Sequence, residues 1–326
     1  MPTCNLCPRN CSIKEGEAGF CGVRECRDGC ITLATYGRNT SLAVDPIEKK
    51  PLNHFFPGSR ILSLGGIGCN LSCRFCQNWG TARSKDLLKL STSATPDEIV
   101  KRAKQSGCES VAFTYNEPII WAEYAMDVAR ACRIAGIKTV AVSNGFISDQ
   151  RRESFFETMD AANIDLKSFS DDFYRQYCSG SLEPVKETLR YLAKKSNTWF
   201  EVTTLLIPTL NDTDREIGAL SQWIAKELGP ETPLHFSAFH PAHQLTFLPA
   251  TPSRTLFHAR EIARNHGLQY VYTGNIDDPA GQTTYCPQCH QAVISRTRFR
   301  IDEYNIDEES CCRFCGQTIA GRFSEN

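Results

Sequence analysis

The middle of the chain, from about residue 60 to residue 275, alternates short apolar runs with longer amphipathic segments. The apolar runs are rich in β-forming residues and have the length of buried strands. We expect strands at 61–66, 110–115, 138–143, 162–167, 199–207, 234–239 and 270–273.

The segments between these runs carry helix start and stop signals. Thr95-Pro96 supplies an N-cap and a proline at the first helical position, and this helix is expected to end at Gly107. A second helix is predicted from Thr251 to Gly267. A third is indicated by apolar residues at the 3–4 spacing of one buried helical face, namely Ile217, Leu220, Ile224 and Leu228.

This order of elements predicts an α/β fold on parallel strands, because repeated strand–helix units connect parallel neighbours through right-handed crossovers. Six or seven units over about 215 residues are too few for a complete eight-stranded barrel. We therefore expect a partial (β/α)6 TIM-like barrel, with a doubly wound open sheet as the alternative. The short strand near Tyr270 would cover the open edge.

Composition narrows the classes of function and location. The chain has 326 residues and a formal net charge of −1, so no overall field attracts nucleic acid or a membrane surface. The opening MPTCNLCPRN lacks the apolar stretch of a secretory signal, and no apolar run approaches membrane-spanning length. The 17 cysteines suit metal ligation in a reducing cytoplasm better than a disulfide framework.

The cysteines fall into three groups. Six lie in residues 1–30, three in the run GCNLSCRFCQN and five between Cys286 and Cys315, whereas three are isolated: Cys108, Cys132 and Cys178. The distribution predicts a core that carries two small metal-binding modules. We place a Cys-rich N-terminal module at 1–58, the α/β core at 59–275 and a C-terminal module at 276–326.

The central group, Cys69, Cys73 and Cys76, has the spacing CxxxCxxC and directly follows the first predicted strand of the core. Three thiolates can ligate three irons of a [4Fe–4S] cluster and leave the fourth iron without a protein ligand. Ferredoxins that only transfer electrons use four cysteines per cluster. The spacing therefore predicts a cluster that binds a further ligand.

Polar residues follow the other predicted strands. The carboxyl ends of parallel strands meet at one rim, and Asp165 and Lys167 should point to the same side because they are two positions apart. Taken singly, these residues could form a helix start, a turn, an internal ion pair or a packed histidine. Their joint placement on the rim of the cluster favours a binding site made by Asn116, Glu117, Ser143, Asp165, Lys167 and His240.

Two CxxC pairs form the C-terminal group, Cys286/Cys289 and Cys312/Cys315, separated by 22 residues. Such pairs predict a tetrahedral four-sulfur site of the zinc-ribbon type, usually zinc and sometimes iron. Cys311 is the alternative to Cys312 as a ligand, and the spacing favours Cys312. CPQCH also matches a c-type haem motif, but the second CxxC pair and the lack of an export signal argue against haem. Between the pairs, alternating arginines predict a solvated edge strand, or less plausibly an RNA contact: Arg296, Arg298 and Arg300.

The N-terminal group offers four ligands with a different spacing: Cys4, Cys7, Cys11 and Cys21. Cys26 and Cys30 add two more thiols. Zinc and an auxiliary iron–sulfur cluster are both open interpretations, with zinc or another structural site preferred.

Several motifs spread along nearly the whole chain carry a family resemblance: CNLCPRNC, SLAVDPIEKKPLNHFFPGS, GCNLSCRFCQNW, FTYNEP, NIDLKS, TYCPQC and CRFCGQTIAGRF. With these motifs the chain resembles the radical S-adenosylmethionine (SAM) superfamily. Within it, the chain is similar to the pyruvate formate-lyase activating enzymes and to the radical SAM enzymes of the AmmeMemoRadiSam system.

The resemblance implies that the cluster reduces SAM to methionine and a 5′-deoxyadenosyl radical, which abstracts hydrogen from a substrate. It implies a strong donor such as reduced flavodoxin or ferredoxin, and AMMECR-like and Memo-like proteins as pathway partners. Phe75 would lie against the adenine, and His240 near the ribose or adenine. The family's GGE run is replaced by Tyr115-Asn116-Glu117, where Glu117 would accept the SAM ammonium, and the DLK run that touches SAM corresponds to Asp165, Leu166 and Lys167.

One departure from the activating enzymes bears on the substrate. Their additional ferredoxin-like clusters often follow soon after the triple, and nothing of that kind lies between Gln77 and Tyr285. This weakens a glycyl-radical protein as substrate and leaves protein, RNA and small metabolites open. The alternative function is a non-catalytic iron–sulfur or zinc scaffold, which a fourth ligand near the triple would favour.

Overall fold

An eight-stranded sheet forms the centre of the molecule in the computed structural model, which describes residues 1–83 and 91–323. Parts of the predicted core (84–90) and of the predicted C-terminal module (324–326) lie outside the described residues. The strands are β1 (Thr3–Cys4), β2 (Cys11–Ser12), β3 (Arg24–Arg27), β4 (Cys30–Leu33), β5 (Arg38–Asn39), β6 (Ser41–Pro46), β7 (Arg60–Gly65), β8 (Thr92–Ser93), β9 (Ser110–Thr114), β10 (Lys138–Ser143), β11 (Ala161–Asp165), β12 (Trp199–Leu206), β13 (Leu234–Ala238), β14 (Val271–Gly274), β15 (Thr284–Tyr285), β16 (Ala292–Thr297) and β17 (Arg300–Tyr304).

Helices connect the strands of the central sheet. They are α1 (Trp79–Arg83), α2 (Pro96–Gln105), α3 (Ala122–Ile134), α4 (Asp149–Phe156), α5 (Asp171–Phe173), α6 (Glu183–Lys195), α7 (Asp214–Glu227), α8 (Ser253–Asn265) and α9 (Pro279–Gln282). Short 3₁₀ turns occupy Ile47–Lys49 and Pro118–Trp121, and a π-helical turn occupies Tyr174–Cys178.

The central sheet runs in the order β14-β13-β12-β11-β10-β9-β7-β6. Each neighbouring pair from β14 to β7 is parallel, and only β6 pairs antiparallel, with β7. The predicted α/β class with a parallel sheet is therefore confirmed. The strands keep their chain order across the sheet, whereas a doubly wound sheet reverses order at a switch point. The doubly wound alternative is wrong for this reason.

The predicted helix signals act as expected around the sheet. At the start of α2, Thr95 Oγ1 accepts a hydrogen bond from Glu98 N (3.3 Å) while Thr95 N donates to Glu98 Oε2 (2.8 Å). Gly107 follows the helix in the left-handed region, at φ 62°. The helices pack one face against the sheet. Every residue of the inner strands β9 and β13 is accordingly buried.

Strand β6 is an element that the sequence pattern did not reveal. It comes from the segment assigned to the N-terminal module and lies at the edge of the central sheet, where Val44 is exposed. An edge strand of this kind lacks the continuous burial by which the inner strands were recognised. The sheet therefore begins on the N-terminal side of residue 59.

The C-terminal module is a three-stranded antiparallel sheet, β15-β16-β17. The expected solvated arginine face is wrong for Arg296, which is 1% exposed on β16. Its guanidinium donates to Asn53 O (2.7 Å) and Gln282 O (3.0 Å), and it faces Glu48. The alternation also fails at Arg298, which lies in the turn between β16 and β17 at φ 57°.

None of the helices in the described segments combines the length and the apolar character needed to cross a bilayer.

Candidate functional site

The three central cysteines lie in the loop that leaves the carboxyl end of β7. Two backbone hydrogen bonds hold this loop to the π-helical turn, from Ser72 N to Cys178 O and from Arg74 N to Tyr177 O (both 2.8 Å). The loop is therefore built against the connection that follows β11, at the rim where the sequence places the site.

Asn116 holds the same loop from the other side. Its Oδ1 accepts from Gly66 N and its Nδ2 donates to Gly68 O, both at 2.9 Å. The preceding residue, Tyr115, has φ 67°, a left-handed conformation that non-glycine residues adopt at a cost. The predicted cofactor residue thus positions the backbone immediately before Cys69.

Glu117 ties the carboxyl ends of β9 and β10 together. Its buried carboxylate accepts from Ile119 N (3.0 Å), Ser143 Oγ (2.8 Å) and Asn144 N (2.8 Å). Burial raises the pKa of Glu117 to about 7, although these donors act in the opposite direction. A carboxylate offers about four acceptor positions, so one remains for another donor.

Asn144 is a site residue that the sequence reasoning missed. Its Nδ2 donates to Asn70 Oδ1 (2.9 Å) and lies 3.8 Å from Cys69 Sγ. The signal was present in Ser-Asn-Gly after a strand, but only Ser143 was selected from it. Asn144 supplies a polar contact to the thiol nearest to β7.

Asp165 and Lys167 meet as predicted, with Lys167 Nζ donating to Asp165 Oδ2 at 2.9 Å. Burial would lower the pKa of Lys167, but the neighbouring Asp165 carboxylate outweighs it and holds that pKa above its usual value. Lys167 Nζ also lies 6.0 Å from the ring centroid of Phe75. The Lys167 ammonium is thus shared by a carboxylate and an aromatic ring.

Phe75 and His240 differ in how far they are enclosed. Phe75 is buried and packs against Phe173, with ring centroids 5.8 Å apart. His240 is exposed, two residues after the end of β13. In the described part of the chain, no hydrogen bond joins His240 to the other predicted site residues.

The chemistry of the three thiols fits a metal cluster. Burial raises the pKa of Cys69 and Cys76, and the neighbouring Cys178 together with burial raises that of Cys73. Without a bound cation these thiols stay protonated, and iron would supply the positive charge that makes them thiolates. The donor set therefore suits a cluster held at Cys69, Cys73 and Cys76.

Cys178 is the second residue that the sequence did not reveal. It was taken as isolated, yet it is fully buried at the end of the π-helical turn, and its backbone oxygen accepts from Ser72 N (2.8 Å), next to Cys73. Single π-turns occur frequently at functional sites. A sequence separation of more than one hundred residues left no pattern that could place it there.

The four C-terminal cysteines converge as predicted. The Sγ atoms of Cys286 and Cys315 are 3.6 Å apart, those of Cys289 and Cys312 are 3.7 Å apart, and all four lie within 4.8 Å of one another. Zn–S bonds of about 2.3 Å in a tetrahedron separate the sulfurs by about 3.8 Å. The cluster can therefore hold one metal ion.

The four N-terminal cysteines also come together, around a cavity between the N-terminal module and the core. Cys4, Cys7, Cys11 and Cys21 all line it. Burial raises the pKa of Cys7 to about 11. The two extra thiols lie elsewhere: Cys26 donates to Glu15 Oε2 and Cys30 is exposed.

Comparison with known sequences adds independent information. Residues 64–221 match the model of the Radical SAM superfamily. An uncharacterized protein of Methanocaldococcus jannaschii is 43% identical over 317 residues, covering 97% of this chain and 94% of that protein. The pyruvate formate-lyase 1-activating enzyme of Escherichia coli K12 is 24% identical over 196 residues, covering 56% of this chain and 75% of the enzyme.

Solved structures share the fold at low identity. A radical SAM methyltransferase from Sphaerobacter thermophilus has a TM-score of 0.51 at 16% identity, over 70% of this chain and 71% of that chain. Streptococcus suis SuiB bound to the precursor peptide SuiA has a TM-score of 0.53 at 12% identity, over 71% of this chain and 51% of that chain. These likenesses concern the fold alone.

Proposed function

The chain belongs to the radical SAM superfamily and is a radical SAM enzyme, and we propose that Cys69, Cys73 and Cys76 hold a [4Fe–4S] cluster whose fourth iron binds SAM. When bound, cluster and SAM together supply a one-electron cleavage that yields methionine and a 5′-deoxyadenosyl radical able to abstract hydrogen. The observation that carries the proposal is three half-buried thiols grouped with the half-buried Lys167–Asp165 pair and the buried carboxylate of Glu117 at one end of a parallel sheet.

The residues around the thiols would bind and orient SAM. Glu117 has one acceptor position left for an ammonium group, and Lys167 with Asp165 offers a charged pair to the polar part of the molecule. We assign Phe75 to the adenine side of the pocket and His240 to the ribose or adenine. Ser143 acts through Glu117, to which its hydroxyl donates.

The sheet that carries these residues keeps chain order from β7 to β14. This is the order of a singly wound barrel, and we propose that it curls into a partial (β/α)6 barrel. The C-terminal cysteines would hold zinc in a ribbon, since their sulfurs already stand at tetrahedral spacing.

We propose a cytoplasmic enzyme that takes electrons from reduced flavodoxin or ferredoxin and acts in a pathway with AMMECR-like and Memo-like proteins. The thiol-rich composition favours a reducing compartment. Its substrate donates the hydrogen atom, and the candidate classes are proteins, RNA and small metabolites. The activating enzymes among the relatives favour a protein, whereas the near-neutral net charge gives no support to RNA.

Anaerobic reconstitution followed by an assay for 5′-deoxyadenosine tests this function. We expect SAM-dependent product from the wild type with dithionite, none from Cys73→Ala, and normal yield from Cys132→Ala. Cys132 is a matched control because it is fully buried on α3. Equal yield from Cys73→Ala would remove the proposal.

One observation favours a second candidate, a non-catalytic electron carrier. Cys178 lies beside the cysteine loop, with its backbone oxygen accepting from Ser72 N (2.8 Å), and a fourth thiolate on the cluster would close the iron that SAM needs. This candidate predicts that Cys178→Ala loses the cluster, whereas the radical SAM function predicts that the variant keeps both cluster and product.

A further inference from the structure

A cavity lies between the C-terminal module and the β14 edge of the central sheet. Its volume is about 460 Å³, within the range of about 300–1,000 Å³ that is typical of small-molecule sites. Three elements bound it: strands β13 and β14, the turn at Ile47–Lys49, and the hairpin of β16 and β17. The C-terminal module therefore forms one wall of a space that can hold a metabolite.

The wall of this cavity carries polar groups that the protein itself does not satisfy. Ser237 on β13 is 9% exposed and lines the cavity, and its hydroxyl makes no hydrogen bond to a described residue. Glu48 Oε2 and Gln282 Oε1 are buried and also have no partner in the described part of the chain. Because buried polar groups in native proteins nearly always have a partner, these groups suit a polar ligand.

Positive charge exceeds negative charge along the wall. Three cations and two carboxylates line the cavity: Lys49, Arg296 and Arg298, with Glu48 and Asp277. Arg296 faces Glu48, with 3.7 Å between Nε and Oε1, whereas Arg298 is exposed in its turn and forms no salt bridge with a described residue. Guanidinium groups bind carboxylates and phosphates through paired, charge-assisted hydrogen bonds. Arg298 therefore favours a ligand with an anionic group.

Lys49 links the cavity to the predicted SAM site. Its Nζ donates to Asp45 Oδ1 (2.7 Å), and Asp45 Oδ2 accepts from Tyr115 OH (3.0 Å). Tyr115 directly precedes Asn116, which holds the loop of the central cysteines. One salt bridge and one tyrosine thus separate the lining of the cavity from the residues around the cluster.

Pro51 makes a second link. It lines the cavity, and its carbonyl oxygen accepts from Asn163 Nδ2 (2.8 Å). Asn163 lies two residues before Asp165 on β11, so the two side chains share one face of that strand. The cavity therefore adjoins the face of the sheet that carries the Asp165–Lys167 pair.

We propose that this cavity binds the part of the substrate that is remote from the reacting carbon, and that the substrate is a small polar molecule with a carboxylate or phosphate group. The inference rests on the proposed function and narrows its substrate classes to small molecules. Arg298 and Lys49 bind the anionic group, and Ser237 binds a polar group. Binding energy from such remote contacts holds the reacting part in place, and no bond forms or breaks in the cavity.

Deuterium transfer from cell extract tests the substrate class. Cells that carry the gene are grown in deuterated medium, and their extract is passed through a membrane that retains proteins and RNA. With reconstituted wild type, SAM and dithionite in ordinary water, the filtrate should yield deuterated 5′-deoxyadenosine, and an anion-exchange resin should remove the deuterium donor. Loss of the donor after phosphatase treatment identifies a phosphate ester and its persistence a carboxylate; either agrees with the proposal.

Variants of the wall test the cavity itself. Arg298→Ala should need at least about tenfold more filtrate for half the maximal transfer, because a charge-assisted contact remote from the reacting atoms acts on KM. Lys49→Ala should act in the same direction. Arg300→Ala is the matched control and should behave as the wild type, since Arg300 is exposed in the same hairpin, pairs with Asp302 (2.8 Å) and does not line the cavity.

The outcomes separate this inference from the proposed function. A filtrate that supplies no deuterium, a donor that the anion-exchange resin does not retain, or an Arg298→Ala response equal to that of the wild type overturns the inference. In each case SAM is still cleaved, and the proposed function stands. Wild-type protein that forms no 5′-deoxyadenosine, with or without extract, contradicts the proposed function instead.

Discussion

At the scale of single residues, some positions that the sequence predicts as ligands of the cofactor also hold the backbone of the site in place. Cys69, Cys73 and Cys76 could be predicted because the spacing of ligands is local in the chain. Asn144 and Cys178 could not, since their contacts with the thiols join segments that only the fold brings together. The polar residues after the strands were predicted to bind SAM, but the sequence did not show that Asn116 and Glu117 also bind backbone groups.

Gly68 is the residue on which the contact between the two cysteine sites depends. It has φ 85°, and a Cβ would meet Cys21 O, Ile120 and Val23. We predict that Gly68→Ala separates the N-terminal module from the central loop and lowers the iron retained after reconstitution by at least about half.

The control is Gly136→Ala. Gly136 has φ 73° but nothing within 4 Å of its Cβ position, so the variant should lose about 1 kcal/mol of unfolding free energy and no iron. Iron assays and thermal unfolding separate the two effects. Equal iron in the two variants would show that the contact at Gly68 is unimportant for the cluster at Cys69, Cys73 and Cys76.

At the scale of elements, hydrophobic runs predicted the inner strands because these are buried on both faces, while the edge strand β6 escaped notice. Charge patterning misled at β16. Alternation places residues on one face of a strand, but it does not say what packs on that face. Here the 3₁₀ turn at Ile47–Lys49 presents Glu48 to Arg296.

Arg296 is accordingly predicted to stabilise the docking of the C-terminal module. Arg296→Ala removes the donors to Asn53 and Gln282 and leaves Glu48 buried without a cation, which should cost about 3 kcal/mol or more. Arg298→Ala, at an exposed turn, should change stability by less than about 0.5 kcal/mol. Chemical denaturation of both variants measures the difference, and equal losses would refute the assigned role.

At the scale of the whole molecule, His54 connects three distant parts of the chain. Its Nδ1 lies 2.6 Å from Ala320 O, its Nε2 lies 2.5 Å from Tyr272 OH, and its backbone N donates to Glu201 Oε1 (2.8 Å). Contacts over such separations have no local signature, so the docking of the modules could not be predicted from the sequence.

Burial lowers the pKa of His54 to about 4, against the attraction of Glu201. Because the unfolded chain then binds more protons than the folded one between about pH 6.5 and pH 4, stability should fall as the pH drops through that window, by about 3 kcal/mol from this group. We expect His54→Gln to be less stable at pH 7.5 and less sensitive to acid.

Melting temperatures measured across this pH range check the prediction. His258→Gln serves as the control, since His258 is exposed on α8, and it should reproduce the wild-type profile. An acid profile of His54→Gln as steep as that of the wild type would contradict the role of His54.

The central claim is that the cluster at Cys69, Cys73 and Cys76 has an iron that Cys178 leaves open to SAM. The most direct measurement is the electron paramagnetic resonance (EPR) spectrum of the reduced cluster with and without SAM, in the wild type and in Cys178→Ala. We predict that SAM changes the spectrum in both proteins, and to the same extent. A wild-type spectrum indifferent to SAM, or a cluster lost with Cys178, would contradict the account.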